Sequence, residues 1–400
     1  MNKQITIYNA NIVTPTEVIE NGTIRIDQGR IVDIAREAPM EIREQDINAS
    51  GKWVTPGFID SHSDAIELEL EPRPGSNFPV EVSFYELEKK LVGEGITTIY
   101  HSLSLLEDHA SKWIRCTDTV LDVIDDIKRL ALGQHLIRHK THLRYEITNV
   151  AAVEKVQKLI KDNKIDQLSF MDHTPGQGQF RDLELHKKFL MEHRHHTEEE
   201  AEQLMNDSVK QKKLEPHVLQ ALADLAHERR IPIASHDDDT VEKLAVVKEW
   251  NTSISEFPIE LDVAKQAKEM GLFVVMGAPN ALLGKSHSNN LSAMEAVNHD
   301  VVDIFCSDYY PSSLLHAVFK LYHQNMPISQ AINLVTLNPA KALNLDDEVG
   351  SIEIGKKADL LLISEDDRRP VIEVVLVNGN VVCEMNYQQP VQAFQESEVG

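Results

Sequence analysis

The sequence predicts an α/β fold, a TIM (β/α)8 barrel joined to a small β-sandwich that both chain ends build together. Three observations lead there. Short alternating strands with turn dipeptides fill residues 1–55 and recur at 349–387, and neither set makes a domain by itself. Between them, 56–345 alternates buried-looking strands with amphipathic helices, a length suited to a barrel with insertions. Polar residues gather where those strands end.

In order along the chain, residues 1–55 form the first half of the sandwich, with strands at Thr6-Ile7-Tyr8, Ile12-Val13-Thr14, Gly22–Ile26 and Arg30–Ile34, turning at Asn21-Gly22 and Gln28-Gly29. Barrel strands are expected at Val54–His62, Ile96–His101, His142–Ile147, Gln167–His173, Pro232–His236, Ser253–Phe257, Phe273–Gly277 and Asp303–Asp308. Val120, Leu121, Ile124, Ile127 and Leu130 line one helix face, and Leu219, Leu222, Ala223, Leu225 and Ala226 another. Gly95 and Gly271 stand where helices end before the next strand. The charged stretch of about 181–214 exceeds what a crossover needs and reads as an inserted helical hairpin, a lid or a subunit contact. Residues 346–400 supply the second half of the sandwich and a C-terminal tail.

Composition narrows the function. Against 40 Lys and Arg stand 64 Asp and Glu, a net charge of −24, which disfavours nucleic acid and anionic membranes as partners. Three separated cysteines fit a reducing, cytoplasmic setting, and no apolar run reaches the length of a membrane helix. With 18 histidines, the question is whether they cluster at strand ends.

Several do. His62 and Asp64, two residues apart, face one side of an extended segment and can grip one divalent ion. His142, Arg144 and Glu146 alternate toward the barrel interior, where Glu146 can bridge cations and Arg144 can pair with a phosphate; the alternative is a buried Arg144–Glu146 ion pair. Met171-Asp172-His173 offers His173, with Asp172 as the competing inward residue. His236 is followed by Asp237, Asp238 and Asp239, of which Asp238 and Asp239 also suit a helix cap and first turn before Thr240–Trp250. Asp308 ends the last strand. Together His62, Asp64, Glu146, His173, His236 and Asp308 form an oxygen and nitrogen donor set without cysteine, suited to one or two Zn2+ or Mn2+ ions. Asp308 is the candidate general base, with the Asp237–Asp238 pair competing and Asp238 the alternative. The loop from Gly277 through Lys285, Ser286, His287 and Ser288, before a helix from Leu291, is either a phosphate cradle or an ordinary polar loop. His193, His195 and His196 read as a solvated helix face, His227, His299, His316 and His323 as surface or packing residues, and Cys306 as a small core hydrophobe.

The split β-module, Val54-Thr55-Pro56-Gly57-Phe58-Ile59-Asp60, the strand-end ligands and Gly355-Lys356-Lys357-Ala358-Asp359-Leu360 resemble the amidohydrolase superfamily over essentially the whole chain. His62-x-Asp64 replaces the usual His-x-His. With His142-Leu143-Arg144-Tyr145-Glu146, Met171–Gln177, His236-Asp237-Asp238 and Gly277–Ser288, this resembles the PhnM proteins of the carbon–phosphorus lyase pathway. Leu283 departs from that pattern, standing where Arg is expected, and the nearest loop cation is Lys285. The resemblance implies a metal-dependent diphosphatase that cleaves a ribose triphosphate, a small nucleotide-like substrate, to a monophosphate and pyrophosphate in phosphonate metabolism. A cyclic amidase or deaminase on the same scaffold is the alternative. Homo-oligomerisation stays open.

Overall fold

The computed structural model describes residues 4–106, 113–178, 181–194, 197–284 and 290–387. Strands β1 (Ile5–Val13), β2 (Val18–Asp27), β3 (Arg30–Ala35), β4 (Ile47–Asn48) and β5 (Trp53–Pro56) precede the barrel. The barrel strands are β6 (Phe58–Ser63), β7 (Ile96–Leu105), β8 (Arg138–Glu146), β9 (Gln167–Met171), β10 (Ile233–His236), β11 (Ile254–Glu256), β12 (Phe273–Gly277) and β13 (Ile304–Cys306). Strands β14 (Leu360–Asp366), β15 (Arg369–Val377) and β16 (Asn380–Glu384) follow.

The two ends of the chain meet in one sheet. The short β5 pairs parallel with β1 and antiparallel with β14, so it joins N-terminal to C-terminal strands. Alternation along β1 and β2 buries Ile5, Ile7, Ile12, Ile24 and Ile26 in one apolar cluster with Val54, Leu360, Leu362 and Leu376, so each end completes the core of the other. Two expectations change here. Thr6–Tyr8 and Ile12-Val13 belong to one strand, irregular around Ala10, with Thr14 just past its end, and Asn21-Gly22 is no turn but a left-handed irregularity inside β2, with Asn21 at φ 52°. A Cβ on Gly22 would come within 2.5 Å of Ile12 Cδ1. Gln28-Gly29 is the turn, both residues at positive φ.

All eight barrel strands run parallel in the order β13 to β6, and the parallel bridge between Ser63 and Asp308 brings the last strand end back to the first. The expected single strand Val54–His62 is split. At Gly57 the chain leaves the sheet, its N–H donating to Asp359 O, and Phe58 starts the barrel on Gly95 O. A Cβ at Gly57 would lie 2.3 Å from Thr97 Cγ2 and Oγ1, so the crossing has no room for a side chain. Gly95 and Gly271 hold φ of 82° and 77° after their helices. The helix Thr117–Leu130 buries Val120, Val123, Ile124, Ile127 and Leu130, and Pro216–Glu228 buries Leu219, Leu222, Ala223 and Ala226, as 3.6-residue spacing dictates.

Within 181–214 lie two helices, Leu183–Arg194 and Glu198–Val209, the second opened by a Thr197–Glu200 capping box. Two helix starts differ from expectation. After β12 comes a short helix, Ala278–Leu283, with Pro279 in its first turn, and the next helix begins at Ala293 rather than Leu291. The cap before Val241–Glu249 is Thr240, whose side chain accepts from Lys243 N, and neither Asp238 nor Asp239 fills that role. Asp239 instead accepts from Gly178 N at 2.8 Å. No helix among the described residues is long and apolar enough to cross a membrane.

Candidate active site

Strand parity builds the site in layers. Ala234 pairs in register with Ile254, and one pleat later His236 pairs with Glu256. Ala234, Ile254, Val275 and Ile304 make an apolar floor, so the same faces turn polar at the C-terminal strand ends. His62, Asp64, Glu146, His173, His236 and Asp308 all stand at or just past those ends.

The deepest group is His62, His142 and Glu256, each buried. His62 Nδ1 lies 3.2 Å from Glu256 Oε1, which also accepts from Gln167 Nε2 at 3.1 Å. His142 contacts Ser102 Oγ at 3.3 Å through Nδ1 and the Ser169 hydroxyl through Nε2. Burial works against the Glu256 charge, but His142 and His62 hold its pKa well below the ordinary carboxylate range. Burial pulls His142 down to about 3 despite Glu256. For His62 burial also acts downward, yet Glu256 outweighs it and the pKa rises.

A second group, His173, His236 and Asp237, lies nearer the mouth. The parity of Asp172 and His173 resolves plainly: His173 turns to Glu146, its Nδ1 2.6 Å from Oε2, while Asp172 accepts from Lys213 at 2.6 Å. His173 Nε2 is 4.0 Å and His236 Nδ1 3.1 Å from Asp237 Oδ2. Although buried, Asp237 is lowered to about 2 by His236 and His173. Burial lowers His236. The His62 and His236 rings, 5.6 Å apart, connect the two groups, and Phe257 packs its ring on both.

Arg144 pairs with Asp64, not with Glu146: it donates to Asp64 Oδ1 at 3.2 Å and contacts His236 Nε2 at 3.1 Å. Glu146 is committed to His173, whose backbone N–H and ring it engages, and that leaves the guanidinium to Asp64, two strands away past the end of β6. Against burial, Arg144, His62 and Arg115 hold the Asp64 pKa low.

Asp308 is locked to the first strand by two backbone bonds, its N–H to His62 O at 3.0 Å and its carbonyl from Asp64 N at 2.6 Å. Its φ of 56° is a left-handed conformation, a strain that the paired backbone sustains. Asp238 points elsewhere. Fully buried, it accepts from the Ser235 and Ser255 hydroxyls at 2.6 and 2.5 Å and so clamps β10 to β11. Lys285, Ser286, His287 and Ser288 lie outside the described residues, as do His195 and His196.

Three residues of the two groups escape the sequence-based donor set: His142, Asp237 and Glu256. Glu256 had one signal, a carboxylate within the otherwise apolar and small stretch Ile254-Ser255-Glu256-Phe257. The donors fit divalent ions. Each group has imidazole nitrogens and a carboxylate with ligand atoms within 4.8 Å of one another.

Comparison with known proteins agrees with this architecture. Residues 53–382 match the Amidohydrolase family model. The chain is 31% identical over 383 residues to alpha-D-ribose 1-methylphosphonate 5-triphosphate diphosphatase of Escherichia coli (strain K12), covering 94% of this chain and 99% of that protein. It is 25% identical to 5'-deoxyadenosine deaminase of Methanobrevibacter smithii, covering 96% of this chain and 89% of that one. Among solved structures, L-hydantoinase from Arthrobacter aurescens superposes with a TM-score of 0.64 at 15% identity, over 96% of each chain, and molinate hydrolase with 0.66 at 14%, over 95% of this chain and 94% of that one. Those two likenesses establish the fold. With the family model matched over most of its length and a full-length relative above 30% identity, the chain belongs to the amidohydrolase family.

Proposed function

We propose that the chain hydrolyses alpha-D-ribose 1-methylphosphonate 5-triphosphate to the 5-phosphate and pyrophosphate, a step of phosphonate breakdown. The observation that carries this reading is the end-to-end 31% identity to the diphosphatase of that name. The His62-x-Asp64 pair and the cationic side chains at the mouth support it. Divalent ions, Zn2+ or Mn2+, would be held by His62, His142 and Glu256 and by His173, His236 and Asp237, with Asp64, Glu146 and Asp308 beside them; when bound they supply Lewis acidity and offset phosphate charge.

In the chemical step, the oxygen of a water joins one phosphorus of the α–β anhydride, the bridging P–O bond breaks and pyrophosphate departs. Asp308 accepts the water proton, since its backbone holds it against His62 and Asp64. Arg144 and the loop side chains Lys285, Ser286, His287 and Ser288 draw the phosphate oxygens into a chain that is otherwise strongly acidic. Asp238 acts as a positioning residue for the His236 strand end.

The likeness to 5'-deoxyadenosine deaminase favours a second reading, release of ammonia from a nucleoside. One assay separates the two: incubation of the metal-replete protein with the ribose triphosphate and with 5'-deoxyadenosine, scoring pyrophosphate, orthophosphate and ammonia. Pyrophosphate from the first substrate alone supports the diphosphatase; ammonia from the second alone overturns it.

A further inference from the structure

Beside the site mouth, the helix Ala65–Leu70 buries a carboxylate, Glu67, at 1% exposure. A buried carboxylate needs a cation or donors. Arg115, from the short turn Trp113–Arg115 beyond β7, provides both, with Nε 2.9 Å and an NH2 nitrogen 2.8 Å from Glu67 Oε2. That NH2 nitrogen also lies 3.8 Å from Asp64 Oδ2, while Asp64 Oδ1 accepts from Arg144. Asp64 therefore sits between two guanidiniums. Of these side chains Arg115 reaches furthest into solvent, 26% exposed against 9% for Arg144 and 1% for Glu67.

The charges balance as they stand, Glu67 and Asp64 against Arg115 and Arg144. Asp64 also borders the groups assigned to divalent ions, and its commitment there leaves two guanidiniums facing one carboxylate. A guanidinium has five N–H donors, and only one edge of Arg115 is turned to Glu67. Its exposure and position suit an incoming polyanion.

We propose that Arg115 is a substrate-binding residue that receives the outer phosphates of a polyphosphate ester, with Glu67 as its positioning residue. The proposal rests on the triphosphate reading of the site. The competing view is that Arg115 only neutralises Glu67.

The test uses the full chain and its Arg115→Ala and Glu67→Gln/Arg115→Gln variants, with two readouts: calorimetric affinity for inorganic tripolyphosphate after chelator treatment, and KM and kcat for pyrophosphate release. Arg115→Ala should weaken tripolyphosphate binding and raise KM by about 10–100-fold while kcat stays within about threefold. The double variant removes both charges of the pair, leaving no unpaired carboxylate buried, so it should keep the wild-type melting temperature yet bind tripolyphosphate as weakly as Arg115→Ala. Equal tripolyphosphate affinity in wild type and Arg115→Ala overturns the proposal, as does a double variant that restores both stability and affinity. Arg115-dependent binding without pyrophosphate release sinks the diphosphatase reading alone. Pyrophosphate release with KM unchanged in Arg115→Ala sinks the Arg115 role alone.

Discussion

His62 and Glu256 come from opposite sides of the barrel, 194 residues apart in sequence, yet Nδ1 and Oε1 lie 3.2 Å apart with both side chains buried. Glu256 fixes the ring that ends the first barrel strand. Glu256→Gln removes both the orienting partner of His62 and a carboxylate of the deeper donor group, so bound metal should fall and turnover should drop by at least about 10–100-fold, the scale for losing an orienting partner alone. Metal analysis by mass spectrometry checks it; unchanged stoichiometry and unchanged turnover would show that Glu256 serves packing only.

Asp308→Asn keeps the size and one oxygen of the side chain but removes most of its basicity, and turnover should fall about 10²–10⁴-fold with the circular dichroism spectrum preserved. Asp238→Asn should act differently, because both serine hydroxyls donate to one oxygen, Oδ2, which the amide can still supply but only as a neutral acceptor. Its main effect should be on the melting temperature. A dead Asp238→Asn with normal stability, beside an active Asp308→Asn, would move the base to Asp238.

Arg144→Ala and Lys285→Ala should each raise KM while leaving metal content intact. For Arg144 the structure supplies a sharper contrast, since it pairs with Asp64 at 3.2 Å. Metal loss in Arg144→Ala would identify the guanidinium as a support for Asp64 and not as a phosphate ligand.

His101 and His139 should confer acid sensitivity. They share a 2.9 Å contact between their rings, His139 reaches Glu88 at 3.3 Å, and burial, joined for His101 by the charge on His139, lowers both pKa values. The unfolded state therefore binds protons first, so the stability contributed by this pair is present above pH 6.5 and is lost as pH falls below it. Each histidine can contribute at most about 1.4 kcal/mol per pH unit in that window. Urea denaturation between pH 7.5 and 5 checks this, and a His101→Phe variant should show a flatter profile; an identical slope refutes the assignment.

Gly57→Ala should destabilise the chain by about 1–3 kcal/mol, the cost of overpacking a close crossing. The added methyl would meet the Thr97 side chain at 2.3 Å. Companion replacement of Thr97 by Ala should recover part of the loss in denaturation midpoint, and no recovery would place the strain in the backbone instead.

Local information was enough for much of this. Buried-looking segments alternating with amphipathic helices located the eight barrel strands, and the acids and histidines closing several of them put His62, Asp64, Glu146, His173, His236 and Asp308 at strand ends, which a parallel topology brings to one mouth. Gly95 and Gly271 were legible for a similar reason, since a helix end needing positive φ selects glycine. Tertiary structure alone decided the pairings. Whether Arg144 meets Glu146 or Asp64, whether Asp238 caps a helix or clamps Ser235 to Ser255, and whether Glu256 joins His62 depend on which side chains face each other across the barrel. Sequence periodicity gives the direction of a side chain from its own strand, but an ion pair is settled by competition among all the buried charges within reach, and those come from strands far apart in the chain.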